Sequence, residues 1–355
     1  MNSLTDRYLD HIVFDANHVA TLRVLGEYKG KQELFNHQSP EALETLKNLA
    51  VVESTESSNR LEGIIVKRER IHAIVQKSTR PEGRSEQEVA GYRDALSLIH
   101  ESWNLLPFTT NVIKQLHSII YRYLPEEGGL WKEKENVIID RYSDGTERIR
   151  FKPVSQEDTP RAMDLMIERY NNAILDRRDP LVVIPLVIFD FLCIHPFQDG
   201  NGRIARLLTL LLLYKAGYEV GRFISLERIF EETKESYYET LEISSRKWRE
   251  EDHDIMPWLT YFWGTLIRAY KEFEERVGTI TTGRGSKTEQ IKLAIDRKVG
   301  PFSISDIENE CPGISRDMIR HVLRTLRDDG IIRSTGIGRG AKWVKVVEGE
   351  EEGEG

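Results

Sequence analysis

Apolar residues recur at the spacing of helix faces over most of this chain, and β-prone runs occur in two places only. Within residues 1–105, Pro40–Leu49 has helical spacing behind Ser39, a capping residue type, and Val89–Leu105 keeps the same period. A second block begins with a helix over Asn111–Tyr123 and a Pro/Gly break at Pro125–Gly129. Two β-prone runs within Asn136–Phe151 then flank Asp144-Gly145, which predicts a hairpin. A helix over Pro160–Leu175 precedes two strongly apolar helices, Pro180–Ile194 and Asn201–Ala216, separated by a short polar segment. Further helices follow over Leu226–Arg246 and Met256–Arg276. The prediction is a mainly α chain with one hairpin in its central block.

The stretch from Thr281 to Ser286 reads as a linker. Beyond it come helices over Thr288–Asp296, from Ile304, and over Ser315–Asp329, with a turn at Cys311-Pro312-Gly313. Two short strands, Ile331–Ser334 and Lys342–Val346, flank Gly336–Gly340, and residues 348–355 form an acidic tail predicted to be disordered. The domain reading is therefore 1–107, 108–267, 284–347 and the tail.

Composition narrows the picture. The 355 residues suit two or three domains, and the net charge of −8 provides no field that would draw the whole chain to nucleic acid or an anionic membrane. Two cysteines, Cys193 and Cys311, are too few for a disulfide framework and lie in apolar surroundings, which points to the cytoplasm. Met1–Asn17 lacks the apolar segment of a signal peptide. The most apolar stretch, Leu181–Ile194, is interrupted by Pro185 and Asp190 and is shorter than a membrane span, so it predicts a buried helix.

The polar segment between the two apolar helices carries the chemistry: His195-Pro-Phe-Gln-Asp-Gly-Asn-Gly-Arg-Ile-Ala-Arg206. Gly200 and Gly202 let backbone amides approach an anion closely. The helix beginning near Asn201 presents unsatisfied amides and the positive end of its dipole. Arg203 and Arg206, three apart, share a face and suit bidentate phosphate contact. Together these predict a polyphosphate site. His195 stands at its mouth as a base for an attacking hydroxyl, and Asp199 offers a carboxylate for Mg²⁺.

These twelve residues match at every defined position the signature HPFx(D/E)GNGRxxR, so the chain resembles the Fic family over roughly residues 40–265. The resemblance implies a helical Fic core, with His195 as base and Asp199 as the Mg²⁺ ligand. It makes Asn201 a phosphate contact, Gly200 and Gly202 the anion nest with Ile204 and Ala205 behind it, and Arg203 and Arg206 the holders of the β- and γ-phosphates. Phe197 is implied to be an apolar anchor. The hairpin resembles the family's flap, with Val137, Ile138 and Ile139 over the nucleotide and a target peptide added as a strand. Tyr237 and Tyr238 resemble an aromatic pair near the adenine, and Ser245 stands where some relatives place a base-reading Asn. Trp131-Lys132 replaces the aromatic-Arg pair frequent upstream of the motif.

Ser58-Asn-Arg-Leu-Glu62-Gly63, in a helix-prone stretch over Ser57–Val66, resembles the family's inhibitory pattern (S/T)xxxE(G/N). The implied brake is a bidentate pair of Glu62 with Arg206. The implied activity is transfer of AMP from ATP to a Ser, Thr or Tyr hydroxyl of a protein target, which includes the chain itself, by a dimer using Mg²⁺. Removal of AMP, or another phosphate-containing transfer, is the alternative on the same fold. A third reading makes the chain a DNA-binding regulator with an ATP-sensing core. Residues 284–347 resemble a winged helix-turn-helix, with 13 Lys and Arg against 8 Asp and Glu and with Arg316, Arg320, Arg324 and Arg327 at helical spacing. DNA ranks below a protein partner there, because acidic residues dilute the charge.

Overall fold

The computed structural model describes residues 3–38, 40–141, 146–281, 287–298, 300–311, 314–335 and 342–346. The helices before the hairpin are α1 (Asp6–His11), α2 (Ala16–Gln38), α3 (Pro40–Leu61), α4 (Arg68–Val75), α5 (Gly83–Ser102) and α6 (Thr110–Ile120). Strands β1 (Ile138–Arg141) and β2 (Glu147–Phe151) follow, then α7 (Thr159–Leu175), α8 (Pro180–Ile194), α9 (Asn201–Lys215), α10 (Leu226–Glu232), α11 (Lys234–Ser245) and α12 (Met256–Thr281). The chain ends with α13 (Lys287–Asp296), α14 (Ile304–Glu310), α15 (Arg316–Asp328), β3 (Ile332–Ser334) and β4 (Trp343–Lys345). It divides into a unit of residues 1–37 and 46–273 and a unit of residues 38–45 and 274–355.

The mainly helical prediction holds. In the first unit the core is built on α8 and α9. Helix α8 is apolar on all sides, and a helix of that kind has to be buried all round. Asp179 caps it by accepting from Leu181 N at 2.8 Å, with Pro180 in the first turn. Pro185 lacks an N–H, so the Leu181 carbonyl loses its helical donor. Trp263 Nε1 supplies one at 2.8 Å, and Trp258 Nε1 donates to the Pro185 carbonyl at 2.8 Å. Asp190, fully buried, accepts from Ser3 Oγ and from Trp248 Nε1 at 2.7 Å. The proline and the aspartate read as interruptions are thus absorbed by side chains from elsewhere in the unit. No helix among the described residues is long and apolar enough to cross a membrane.

Among the helix boundaries that differ from the sequence reading, two shape the site. Helix α3 runs on past Leu49 but stops at Leu61, so Ser57–Val66 is not one helix. Gly63 takes φ of 80°, and Glu62 N and Ile64 N both donate to the Asn59 carbonyl, the pattern of a glycine-terminated helix. Glu62 therefore projects from a turn. The helix predicted over Leu226–Arg246 is two, α10 and α11, broken at Thr233. Its Oγ1 donates back to the Ile229 carbonyl at 2.7 Å and also pairs with Tyr261 Oη, and such local bonding competes with continuation of the helix.

The hairpin forms as predicted: β1 and β2 pair antiparallel, with Ile138 opposite Phe151 and a bulge between Ile138 and Ile139. The turn pair Asp144-Gly145 lies outside the described residues. In the second unit α13, α14 and α15 pack with β3 and β4 around Ile295, Phe302, Ile307, Ile319, Leu323 and Trp343. A Ser303–Asp306 capping box opens α14. This is the predicted order of three helices and two strands. Both cysteines are buried and free. The 281–286 linker beyond Thr281, Pro312-Gly313, Gly336–Gly340 and the 348–355 tail fall outside the described residues.

Candidate active site

The segment between α8 and α9 is buried against the core. Its apolar pin is Phe197, fully buried and stacked on the His117 ring at 3.8 Å between centroids. His117 in turn receives Gly129 N on Nδ1 at 2.8 Å and sits 3.0 Å from the Asp199 carbonyl through Nε2. One nitrogen accepts and the other donates, so the ring is neutral, and burial lowers its pKa to about 4. Asn201 closes the loop on itself: Oδ1 accepts from Phe197 N at 2.9 Å and Nδ2 donates to Phe197 O at 2.8 Å.

His195 terminates α8 in the left-handed region, φ 51° and ψ 61°. For a residue with a Cβ this conformation costs about 1–3 kcal/mol, so the surroundings must hold it. Nδ1 lies 3.2 Å from the Leu192 carbonyl. A nitrogen facing a carbonyl oxygen must be the donor, which leaves Nε2 as the acceptor. Burial lowers the His195 pKa to about 4; the Leu192 bond, Glu62 and Asp199 work against the shift and Lys132 adds to it. The imidazole is neutral near pH 7.

Helix α9 starts at Gly200, φ 80°, with no side chain capping its first amides. Those donors and the helix dipole make the end an anion site. A carboxylate already stands over it: a Cβ added to Gly202 would lie 2.2 Å from Glu62 Oε1, so only glycine admits this approach. Glu62 Oε1 accepts from Arg206 Nη2 at 2.7 Å. The contact uses one pair of atoms rather than the bidentate fork expected. Two further donors of Arg206 are turned to α3, with Nε on Ser58 Oγ at 2.8 Å and Nη2 on Ser58 O at 2.9 Å.

Arg203 and Arg206 do not act together. Arg203 is 1% exposed and donates through Nη1 to Glu88 Oε2 on α5 at 2.7 Å, with Asp199 Oδ2 at 3.5 Å from Nη2. Three-residue spacing puts both side chains on one flank of α9, but α5 claims one and α3 the other. Glu88, unnoticed in the sequence, is buried 115 positions away and nothing local marks it. Replacing Arg203 by Met leaves Glu88 with only the exposed Arg84. The expected cost is about 3 kcal/mol, read as a lowered denaturation midpoint.

A cleft of about 320 Å³ opens beside this end of α9. The flap provides Val137, Ile138, Arg150 and Phe151; α8 and its end provide Leu192, Cys193 and His195; α9 provides Gly202 and Arg206. Tyr237, Tyr238, Glu242 and Ser245 come from α11, and Glu62 closes the group. Arg150 lies over the Tyr238 ring at 5.3 Å, and Arg148 Nη2 meets Glu242 at 2.7 Å, which ties the flap to α11. Sequence reasoning missed Arg150 and Glu242. Of the expected residues, Ile139, Gly200, Asn201, Arg203, Ile204, Ala205, Ser58 and Gly63 do not line the cleft; Ile204 and Ala205 are buried in the core.

Asp199 faces a separate groove with His117, Tyr121 and Trp131, and its side chain is 64% exposed. Its oxygens accept from Gly200 N at 2.7 Å and Tyr121 Oη at 3.2 Å. No group of three or more His, Cys, Asp or Glu side chains that could hold a metal ion occurs among the described residues. An exposed single carboxylate fits Mg²⁺, which keeps its waters and takes further oxygens from a phosphate, and does not fit a metal needing a protein cage.

Residues 107–213 match the family model described as the Fic/DOC family. The chain is 28% identical over 162 residues to the protein adenylyltransferase fic-1 of Caenorhabditis briggsae, covering 46% of this chain and 29% of that protein. It is 28% identical over 175 residues to the protein adenylyltransferase Fic of Nematostella vectensis, covering 45% and 37%. The chain thus spans well under half the length of these curated relatives. A crystal structure of a Fic family protein from Desulfovibrio desulfuricans G20 superimposes with a TM-score of 0.62 at 19% identity, over 96% of this chain and 99% of that one. Fic-1 from C. elegans gives a TM-score of 0.58 at 21% identity, over 74% and 72%. Both likenesses are of fold. With the histidine loop and most of α9 inside it, the segment over residues 107–213 matches the Fic/DOC family, and through it the chain is a distant homologue of the Fic protein adenylyltransferases.

Proposed function

We propose that the chain transfers AMP from ATP to a hydroxyl of a protein. The observation that carries this reading is the pairing of a neutral His195, its Nε2 left as acceptor, with the uncapped first turn of α9, which reaches the same cleft at Gly202. In the transfer the hydroxyl oxygen forms a bond to the α-phosphorus. The bond from that phosphorus to the β-bridging oxygen breaks, pyrophosphate leaves, and the hydroxyl proton passes to His195 Nε2. The amides of α9 and the Arg206 guanidinium face the charge that develops on the phosphates. Mg²⁺ held by Asp199 supplies charge neutralisation on those oxygens. Tyr237 and Tyr238, with Val137 and Ile138 opposite, offer an aromatic and apolar wall for the adenine.

Glu62 is the brake in this reading. Its carboxylate is itself an anion at the helix end where a phosphate binds, and it occupies Arg206. The C-terminal unit is read as a protein-binding module, because three of its four helix arginines already have carboxylate partners: Arg316 with Glu308, Arg320 with Asp317 and Arg327 with Asp328.

Intact mass after incubation of the Glu62→Gly protein with ATP and Mg²⁺, alone and with cell lysate, tests the transfer. A gain of one adenylyl group is the expected result. A gain of a single phosphoryl group would instead assign kinase-type chemistry. The pH profile gives a further check. The acid limb of kcat/KM reports the free enzyme's base and is expected near pH 4, where His195 protonates. Glu62→Gly removes a carboxylate that favours the imidazolium, so the limb moves lower still. A limb near 6.5 would mean that the His195 ring is solvated rather than buried in the working enzyme.

A further inference from the structure

Four successive carbonyls run through the turn after α8, and each is taken by a donor. Lys132 Nζ donates to Ile194 O at 3.2 Å and to His195 O at 3.1 Å. Lys132 N donates to Pro196 O at 2.9 Å. Asn136 Nδ2 and Asn201 Nδ2 both donate to Phe197 O, at 3.1 and 2.8 Å. The third acceptor of the ammonium is Asn136 Oδ1 at 3.0 Å. Lys132 is 4% exposed, so three N–H donors meet three acceptors with almost no water.

This has a geometric consequence for the base. The Ile194 carbonyl belongs to the peptide plane before His195, and the His195 carbonyl to the plane after it. One cation that grips both planes sets φ and ψ of the residue between them. It also stands at the C-terminal end of α8, where the helix dipole favours positive charge. Nothing else gathered at the turn binds the Ile194 and His195 carbonyls among the described residues.

We propose that Lys132 is a positioning residue for the transfer: by clamping the peptides on either side of His195 it holds the left-handed backbone that aims the imidazole into the cleft. The effect on rate rests on the AMP-transfer reading, whereas the placement of the ring does not. Lys132 is faced by Glu135 and Arg249, and His195 by Lys132, Glu62 and Asp199.

The test uses Lys132→Met in the full-length Glu62→Gly protein, with three measurements. Nitrogen-edited NMR follows the His195 Nδ1 proton, which is held by the Leu192 carbonyl. Calorimetry gives the Kd for ATP, and transfer assays give kcat. The expected result is loss of the protected Nδ1 proton and a fall in kcat of at least tenfold, with Kd changed less than twofold. A merely structural residue would disturb binding and catalysis alike and leave the ring bond in the folded fraction. Persistence of the Nδ1 proton with an unchanged kcat overturns the proposal. Where Lys132→Met does not fold, Lys132→Gln, which cannot span all three acceptors, is read by the same measurements. If no variant transfers AMP, the activity reading fails by itself, and the Nδ1 proton still decides the role of Lys132.

Discussion

Glu62→Gly is expected to raise the rate of AMP transfer by roughly ten- to a hundredfold. In the resting protein Arg206 is 2% exposed, with Nη2 shared between Glu62 and the Ser58 carbonyl and Nε on Ser58 Oγ. A γ-phosphate that needs this guanidinium must first displace the Glu62 carboxylate. A hydrogen bond to a charged group contributes about 1.5–3 kcal/mol, and that range converts to the stated factor. The same carboxylate also packs against Gly202 in the first turn of α9. Both obstacles vanish with the side chain, while Ser58 keeps Arg206 in place. Glycine at 62 precedes Gly63, already in a glycine conformation, so the turn after α3 is retained. Initial rates with radiolabelled ATP give the comparison. An unchanged rate would mean that Glu62 does not oppose phosphate seating.

His195→Ala is expected to lower transfer by about 10²–10⁴-fold, the usual contribution of a positioned general base. Nucleotide binding should survive, since the α9 amides, Arg206 and the aromatic wall are untouched. Stability should not suffer greatly, because the ring makes one hydrogen bond, to Leu192, and the bonds from Lys132 to the flanking carbonyls remain. The comparison is best made in the Glu62→Gly protein, where the starting rate is highest. Retained transfer would move the base elsewhere, and loss of ATP binding would show that the imidazole is a ligand rather than a base.

Lys132 shows how a residue can be conspicuous in the sequence and still unreadable. Its departure from the aromatic-Arg pair was visible, yet its function depends on two carbonyls more than sixty positions away. Burial lowers its pKa to about 8, which still leaves the ammonium charged near pH 7 and able to donate to its three acceptors.

What the sequence by itself determined was local in origin. Helical spacing and all-round apolarity were enough for α8 and α9, because backbone hydrogen bonds close within four residues and a wholly apolar helix has no stable place except a core. The anion site was legible for the same reason: twelve contiguous residues carry the glycines, the helix start and the histidine. The hairpin and the three-helix, two-strand order of the C-terminal unit followed from short-range pattern as well.

Pairing and burial were decided only by the tertiary structure, because they depend on which surfaces meet. Arg203 and Arg206 are equivalent in spacing, and only the tertiary placement of α5 and of α3 with its following turn makes one a partner of Glu88 and the other a partner of Ser58 and Glu62. Helix α3 had to end at Gly63 for Glu62 to reach Gly202 from a turn, a termination the run of helix-forming residues through Leu61 concealed. Asp190 looked like an interruption in α8 until Trp248 and Ser3 supplied its donors from distant positions. A desolvated charge must find its partner somewhere in space, and spacing along the chain does not say where.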